Sequence, residues 1–160
     1  MDNEMVRAIP NNDSHPAGDS SVNHRREFTA SEATEMLPLV RRIVADMVEV
    51  SRSIESQREQ LRGIDSIGET IEDPAYQEEL SDVRSTLAED EKRLAACMGE
   101  LTALGLSAHL PIDGSVDFPA VLNRRSVCLC WRPGDDEVLH WHESDQPNDQ
   151  PSGRRKIDLN

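Results

Sequence analysis

The sequence predicts an α+β fold: a long, coiled-coil-like antiparallel helical hairpin carrying a small C-terminal antiparallel β-module. Three observations predict it. Two stretches repeat apolar residues at alternating intervals of three and four. A short connection ending in Asp73-Pro74 separates them. After Gly105 the texture changes to Pro, Gly and β-branched residues, and both Trp fall there.

Taken in order, residues 1–26 are polar, lack an apolar period and read as a disordered N-terminal tail that includes His15 and His24. A single α+β domain is expected over 27–143, with the hairpin at 30–104 and the β-module at 106–143. Residues 144–160 read as a mostly flexible C-terminal tail, with Gly153-Arg154-Arg155 as a candidate ordered exception.

Thr29 followed by Glu32 is a capping box, and Phe28 can staple it, so the first helix should start near Ala30. Pro38 removes an amide donor and is expected to kink that helix or cut it short. The first seam is Val40, Ile43, Met47, Val50, Ile54, Gln57 and Leu61, polar only at Gln57. Gly63 to Glu72 forms the connection, where Ile64, Ile67 and Ile71 either fold over the tip or continue one helix. Asp73 caps the second helix and Pro74 fits its first turn.

The second seam is Tyr76, Leu80, Val83, Leu87, Asp90, Leu94, Cys97, Leu101 and Leu104, and Gly105 suits a left-handed end. Each arm should be on the order of 35 Å long. Asp90 interrupts its seam roughly opposite Met47. A lone buried carboxylate is costly, so it is expected to reach solvent or the nearby Lys92 or Arg93.

Strands are expected at 107–110, 115–118, 126–131 and 137–143, with a turn at Arg132-Pro133-Gly134-Asp135-Asp136. If the last hairpin turns near Gly134-Asp135, Val127, Leu129, Trp131, Leu139 and Trp141 share one face. That face should dock at the hairpin base, around Val40 and Leu101. The opposite face then pairs Cys130 with His140 and Cys128 with His142. Two thiolates and two imidazoles are the ligand set of tetrahedral zinc, or of another transition metal. Without an ion they are two small thiols and two half-exposed rings.

A second constellation is His109, Asp117, His142 and Glu143, since a carboxylate beside an imidazole can do general acid/base chemistry. The competing assignment has Asp117 capping a turn before Phe118-Pro119 and His142 closing a strand. The sequence holds no nucleophile motif, phosphate-cradling glycine loop or H-E-x-x-H pattern.

Phe28-Thr29 with Leu37-Pro38, then Val116-Asp117-Phe118-Pro119-Ala120, Leu129-Cys130-Trp131-Arg132 with Gly134, Trp141-His142-Glu143 and Gly153-Arg154 together resemble an uncharacterised bacterial family. It is catalogued as domain of unknown function 2203, and the resemblance covers about residues 27–156. It implies no activity. Its motif corresponds here to Asp117, Phe118, Pro119, Cys130, Trp131, Trp141 and His142, and leaves Cys128 and His140 outside. Asp117, Cys130 and His142 thereby become the leading polar candidates, and Phe118, Pro119, Trp131 and Trp141 an interaction or structural motif.

The formal charge of −14 disfavours phosphate backbones and anionic membranes, against only two small basic clusters, Arg124-Arg125 and Arg154-Arg155-Lys156. Three cysteines suggest no disulfide framework, and no signal peptide or spanning segment is legible, so a cytoplasmic setting is expected. These features favour a non-enzymatic protein-interaction or regulatory module that binds a protein partner or its own copy. The alternatives are a metal- or cofactor-binding protein using the Cys and His of the last hairpin, and a small enzyme using Asp117 and His142.

Overall fold

The structure, a computed structural model, describes residues 26–66, 73–144 and 153–158. The expectations for the N-terminal tail up to residue 25, and for Ile67 and Ile71 in the connection, lie outside the described residues.

Two long helices, α1 (Ala30–Asp65) and α2 (Pro74–Ala103), pack on one another and lead into five strands. These are β1 (Ser107–Ala108), β2 (Val116–Leu122), β3 (Arg125–Trp131), β4 (His140–Glu143) and β5 (Arg155–Lys156). They form one antiparallel sheet in sequence order. No helix among the described residues is long and apolar enough to cross a membrane.

The capping box forms as expected. Thr29 Oγ1 accepts from the Glu32 amide at 3.2 Å, and Glu32 Oε2 accepts from the Thr29 amide at 2.8 Å. The Thr29 amide, and the Thr29 hydroxyl donating to Oε2 at 3.0 Å, hold the Glu32 carboxyl below its ordinary range. Pro38 does not shorten the helix, which runs through it to Asp65. One intrahelical bond is lost, but Leu37 and Val40 on either side are locked in the core. Ile64 continues α1. At 1.5 Å per residue the arms are therefore about 54 and 45 Å, longer than expected.

The core forms where the base of the hairpin crosses the sheet. Leu37, Val40, Val44, Met47 and Leu101 meet Val116, Phe118, Leu129 and Trp131, all nearly inaccessible. Phe28 packs edge-on to Phe118, with ring centroids 5.6 Å apart. Polar contacts reinforce the junction. The Phe28 amide donates to the Pro119 carbonyl at 2.7 Å, and the Val138 amide to Thr34 Oγ1 at 3.0 Å. Arg41 donates to the carbonyls of Asp135 and Asp136.

Asp90 reaches Arg93, one of the two cations expected for it, but it is buried and lies opposite Ser53 and Gln57 rather than Met47. Its Oδ2 accepts from Ser53 Oγ at 2.8 Å and Gln57 Nε2 at 3.0 Å, while Arg93 approaches Oδ1 at 3.4 Å. The one polar position of the first seam thus meets the one carboxylate of the second. Matched polar groups in an apolar seam penalise any shifted register.

The strands differ in extent from the sequence reading. β2 runs on through Pro119, because β1 covers only Val116 and Asp117 and leaves the rest of that side of β2 as an edge. The β2–β3 hairpin, which the sequence did not reveal, turns on Asn123 and Arg124 at φ 50° and 64°. Asn tolerates that left-handed region; Arg seldom occupies it, which hid the turn. β4 starts only at His140, since Val138 is buried and its amide is engaged by α1. The exception at Gly153-Arg154-Arg155 contributes to β5, which pairs with β4.

Two outcomes follow from this packing. Phe118→Ala should cost about 3–5 kcal/mol in urea unfolding, the scale for a deleted core aromatic. For Asp90, the Ser53 hydrogen bond foremost, with Gln57 and Arg93, holds the carboxyl below its ordinary range despite burial. A depressed folded pKa stabilises above the unfolded value and loses that contribution as pH falls through the folded one. The urea midpoint of the wild type should therefore fall more steeply than that of Asp90→Asn between about pH 5 and pH 2. Parallel pH profiles would remove Asp90 from the account.

Candidate functional site

Side chains alternate across β2, β3 and β4, so each strand offers one row to the helices and one to the other face. Val116, Phe118 and Ala120 face the core on β2, as do Val127, Leu129 and Trp131 on β3. The alternate row carries Asp117 and Pro119 on β2, Cys128 and Cys130 on β3, and His140 and His142 on β4. Asp117 lies opposite Cys130, Cys130 opposite His140, and Cys128 opposite His142. His109 follows β1 directly, its amide donating to the Ser115 carbonyl at 3.1 Å.

Four of these residues converge. His109 Nε2 and His142 Nε2 lie 2.8 and 2.9 Å from the same carboxylate oxygen, Asp117 Oδ1. With Cys130 they present ligand atoms that all lie within 4.8 Å of one another. Most of the cluster is buried: Asp117, His142 and Cys130 are 9%, 5% and 0% exposed, and His109 is half-buried. Two open cavities lie elsewhere. One, of about 650 Å³, is lined by Val44, Val48, Trp131 and Pro133 with Arg41 and Arg52. The other, of about 980 Å³, runs past Leu106, Pro119, Cys128 and Ser126. Neither is lined by a residue of the cluster.

Electrostatics bind the group together. Burial alone would raise the Asp117 carboxyl, but hydrogen bonds from His109 and His142 outweigh it and the net shift is downward. The same contact with Asp117 raises the His142 imidazole against its burial. Burial, with the Asp117 charge behind it, pushes the Cys130 thiol up to about 11, although Arg154 and Arg132 pull the other way. His142 is held at both ends, since its Nδ1 donates to the Glu143 carbonyl at 2.9 Å.

The ligand set expected from Cys128, Cys130, His140 and His142 does not assemble. Its cross-strand pairings are correct, but adjacency along a ladder does not aim four side chains at one point. Arg154 Nη2 contacts His140 Nδ1 at 3.0 Å, and burial followed by the Arg154 charge lowers that imidazole. Arg154 also pairs with Asp135. His109 and Asp117 take the places assigned to Cys128 and His140. Glu143 contributes its carbonyl; its side chain belongs to the row of Val127, away from the cluster. Asp117 sits within β2 and does not cap a turn before Phe118.

The aromatic motif is structural in its contacts. Phe118 and Trp131 are core residues, and Trp131 Nε1 donates to the Asp135 carbonyl at 2.9 Å. Trp141 packs beside the core, with Arg155 5.2 Å over its ring. Arg132 and Arg154 are neighbours of the cluster that sequence reasoning did not assign. No spacing rule connects a turn arginine or a distant tail arginine to a thiol.

The sequence family described as "Uncharacterized conserved protein (DUF2203)" matches residues 26–157. Neither a curated protein nor a solved structure matches the chain.

Removing Asp117 takes away the carboxylate that faces both Nε2 atoms. Asp117→Ala is expected to cost about 3–5 kcal/mol in urea unfolding. A double-mutant cycle of Asp117→Asn with His142→Gln should return a coupling of about 0.5–3 kcal/mol. Glu143→Gln should stay within about 0.5 kcal/mol of wild type. Additive behaviour of Asp117 and His142 would mean that the pair does not act as a unit.

Proposed function

The chain belongs to the family described as Uncharacterized conserved protein (DUF2203), which attaches no activity to the fold, and we propose that it is a non-enzymatic interaction module whose distal hairpin arm binds a protein partner.

One observation carries this reading: the core ends halfway along the hairpin. Its last α1 residues are Met47 and Val48, and its α2 residues begin at Leu94. Beyond them, among the described residues, the buried positions are Val50, Ile54, Leu80 and the Asp90 group, which lie between the two helices. A sheet-anchored helix pair of that length offers two long outer faces to a partner. The excess of acid lies on α2, where Glu78, Glu79, Asp82 and Glu89 are exposed beside Arg84, while α1 exposes Glu55 and Glu59 among Arg52, Arg58 and Arg62. A basic protein surface complements the α2 face. A second copy does not, because the chain as a whole carries −14.

The burial of Asp117, Cys130 and His142 also supports a non-enzymatic role, as it leaves the dyad little access to substrate. The same charge argues against nucleic acid and anionic membrane. A cytoplasmic setting fits Cys97, Cys128 and Cys130, none of which is in a disulfide.

A photo-crosslinking residue in place of Glu79 or Ser85, tested in the native host, should trap a discrete adduct that Val121, exposed on the sheet, does not give. Glu78→Lys with Asp82→Lys should weaken the captured complex at least tenfold, about 1.4 kcal/mol. Adducts absent from the arm, or unaffected by the charge reversal, would overturn the proposal.

A further inference from the structure

The cluster on the outer face of the sheet needs a positive centre that the neutral side chains do not supply. His142 Nδ1 donates to the Glu143 carbonyl, so in the neutral ring Nε2 is a bare lone pair. That lone pair points at a carboxylate oxygen 2.9 Å away. Two acceptors at this distance need a positive centre between them, a proton or a metal ion. His109 Nε2 approaches the same oxygen, and the Cys130 thiol completes the group.

We propose that His109, Asp117, Cys130 and His142 form a closed four-coordinate site for one zinc-class ion. The donors are the two imidazole nitrogens, one carboxylate oxygen and the thiolate sulfur. Three lines of geometry and chemistry support it. Nitrogen and sulfur donors select borderline transition metals over calcium or magnesium. The Glu143 carbonyl supplies the outer hydrogen bond that metal-bound histidines commonly make, fixing the tautomer that presents Nε2. Finally, Zn²⁺ with one carboxylate and one thiolate is neutral overall, which suits a buried site.

Bond lengths of about 2.0–2.3 Å place tetrahedral donors roughly 3.3–3.8 Å apart. The two Asp117–His contacts would open by about half an ångström and the wider pairs would close in. On binding, the Cys130 S–H bond breaks, its electron pair passes to the metal and its proton leaves to solvent. Any proton on Nε2 of His109 or His142 leaves in the same way, so that both lone pairs bind the ion.

With all four positions filled by protein, the site is structural rather than catalytic. Its ligands come from β2, β3, β4 and the residue after β1, so one ion would pin four consecutive segments of the sheet. The inference is independent of the hairpin arm and stands or falls separately from the proposed function.

The test uses full-length protein without a histidine tag. Chelator-stripped protein should take up one equivalent of Zn²⁺, measured by elemental analysis, with a rise in melting temperature. Asp117→Asn should lose that rise. Co²⁺ in place of zinc should give tetrahedral visible bands and a thiolate charge-transfer band. Cys130→Ser should abolish the charge-transfer band, while Cys128→Ser and His140→Ala keep one equivalent. If Cys130→Ser fails to fold, Cys97→Ser with Cys128→Ser leaves Cys130 as the sole thiol, and the band must persist. Less than about a tenth of an equivalent on folded protein overturns the site. So does a charge-transfer band that survives Cys130→Ser or disappears with Cys128→Ser.

Discussion

The two-residue alternation along β2 and β3 governs both halves of this protein's architecture. One row, from Val116 to Ala120 and from Val127 to Trp131, is apolar and supplies the sheet's share of the core. The other row holds Asp117 and Cys130. A slip of one residue would turn Phe118 and Leu129 outward and drive a carboxylate against the helices. The apolar row therefore selects the register, and the register places the polar cluster. No separate device is needed to position Asp117 opposite Cys130.

The helices obey a related constraint. An aliphatic seam can slide by a heptad at little cost, because one Leu or Val replaces another. Asp90 with Ser53 and Gln57 prevents this. In any other register the carboxylate would be buried against apolar side chains and lose both its neutral donors. α2 is capped at Leu104, where Gly105, at φ 83°, turns the chain into β1.

Burial gives the Asp117 cluster its character. In water, two imidazoles and a carboxylate would attract one another weakly. Shielded from solvent, Asp117 and His142 shift each other, the carboxyl downward and the His142 imidazole upward. With no ion bound, burial keeps the Cys130 thiol protonated near neutral pH, which makes it a poor nucleophile. A largely buried group of this kind suits the clamping of strands better than turnover of a substrate. On the proposed reading, sheet and cluster form the base and the helical arm is the part that meets a partner.

Local pattern determined the elements themselves. The 3-4 spacing, the capping box at Thr29, Asp73-Pro74 and the Arg132–Asp136 turn each act within a few residues, so helix starts, seams and the β3–β4 pairing were legible in sequence. The identity of Asp117, Cys130 and His142 as leading polar residues came through the family resemblance, and His109 through its chemistry. Tertiary structure alone decided that they meet, because Asp117 and His142 are 25 positions apart and joined only by strand pairing. It also decided that Asp90 faces Gln57 rather than Met47, that α1 passes through Pro38, and that Arg124 takes a left-handed conformation at a turn. Each of these outcomes is paid for by distant packing, and a sequence read window by window contains no term for that.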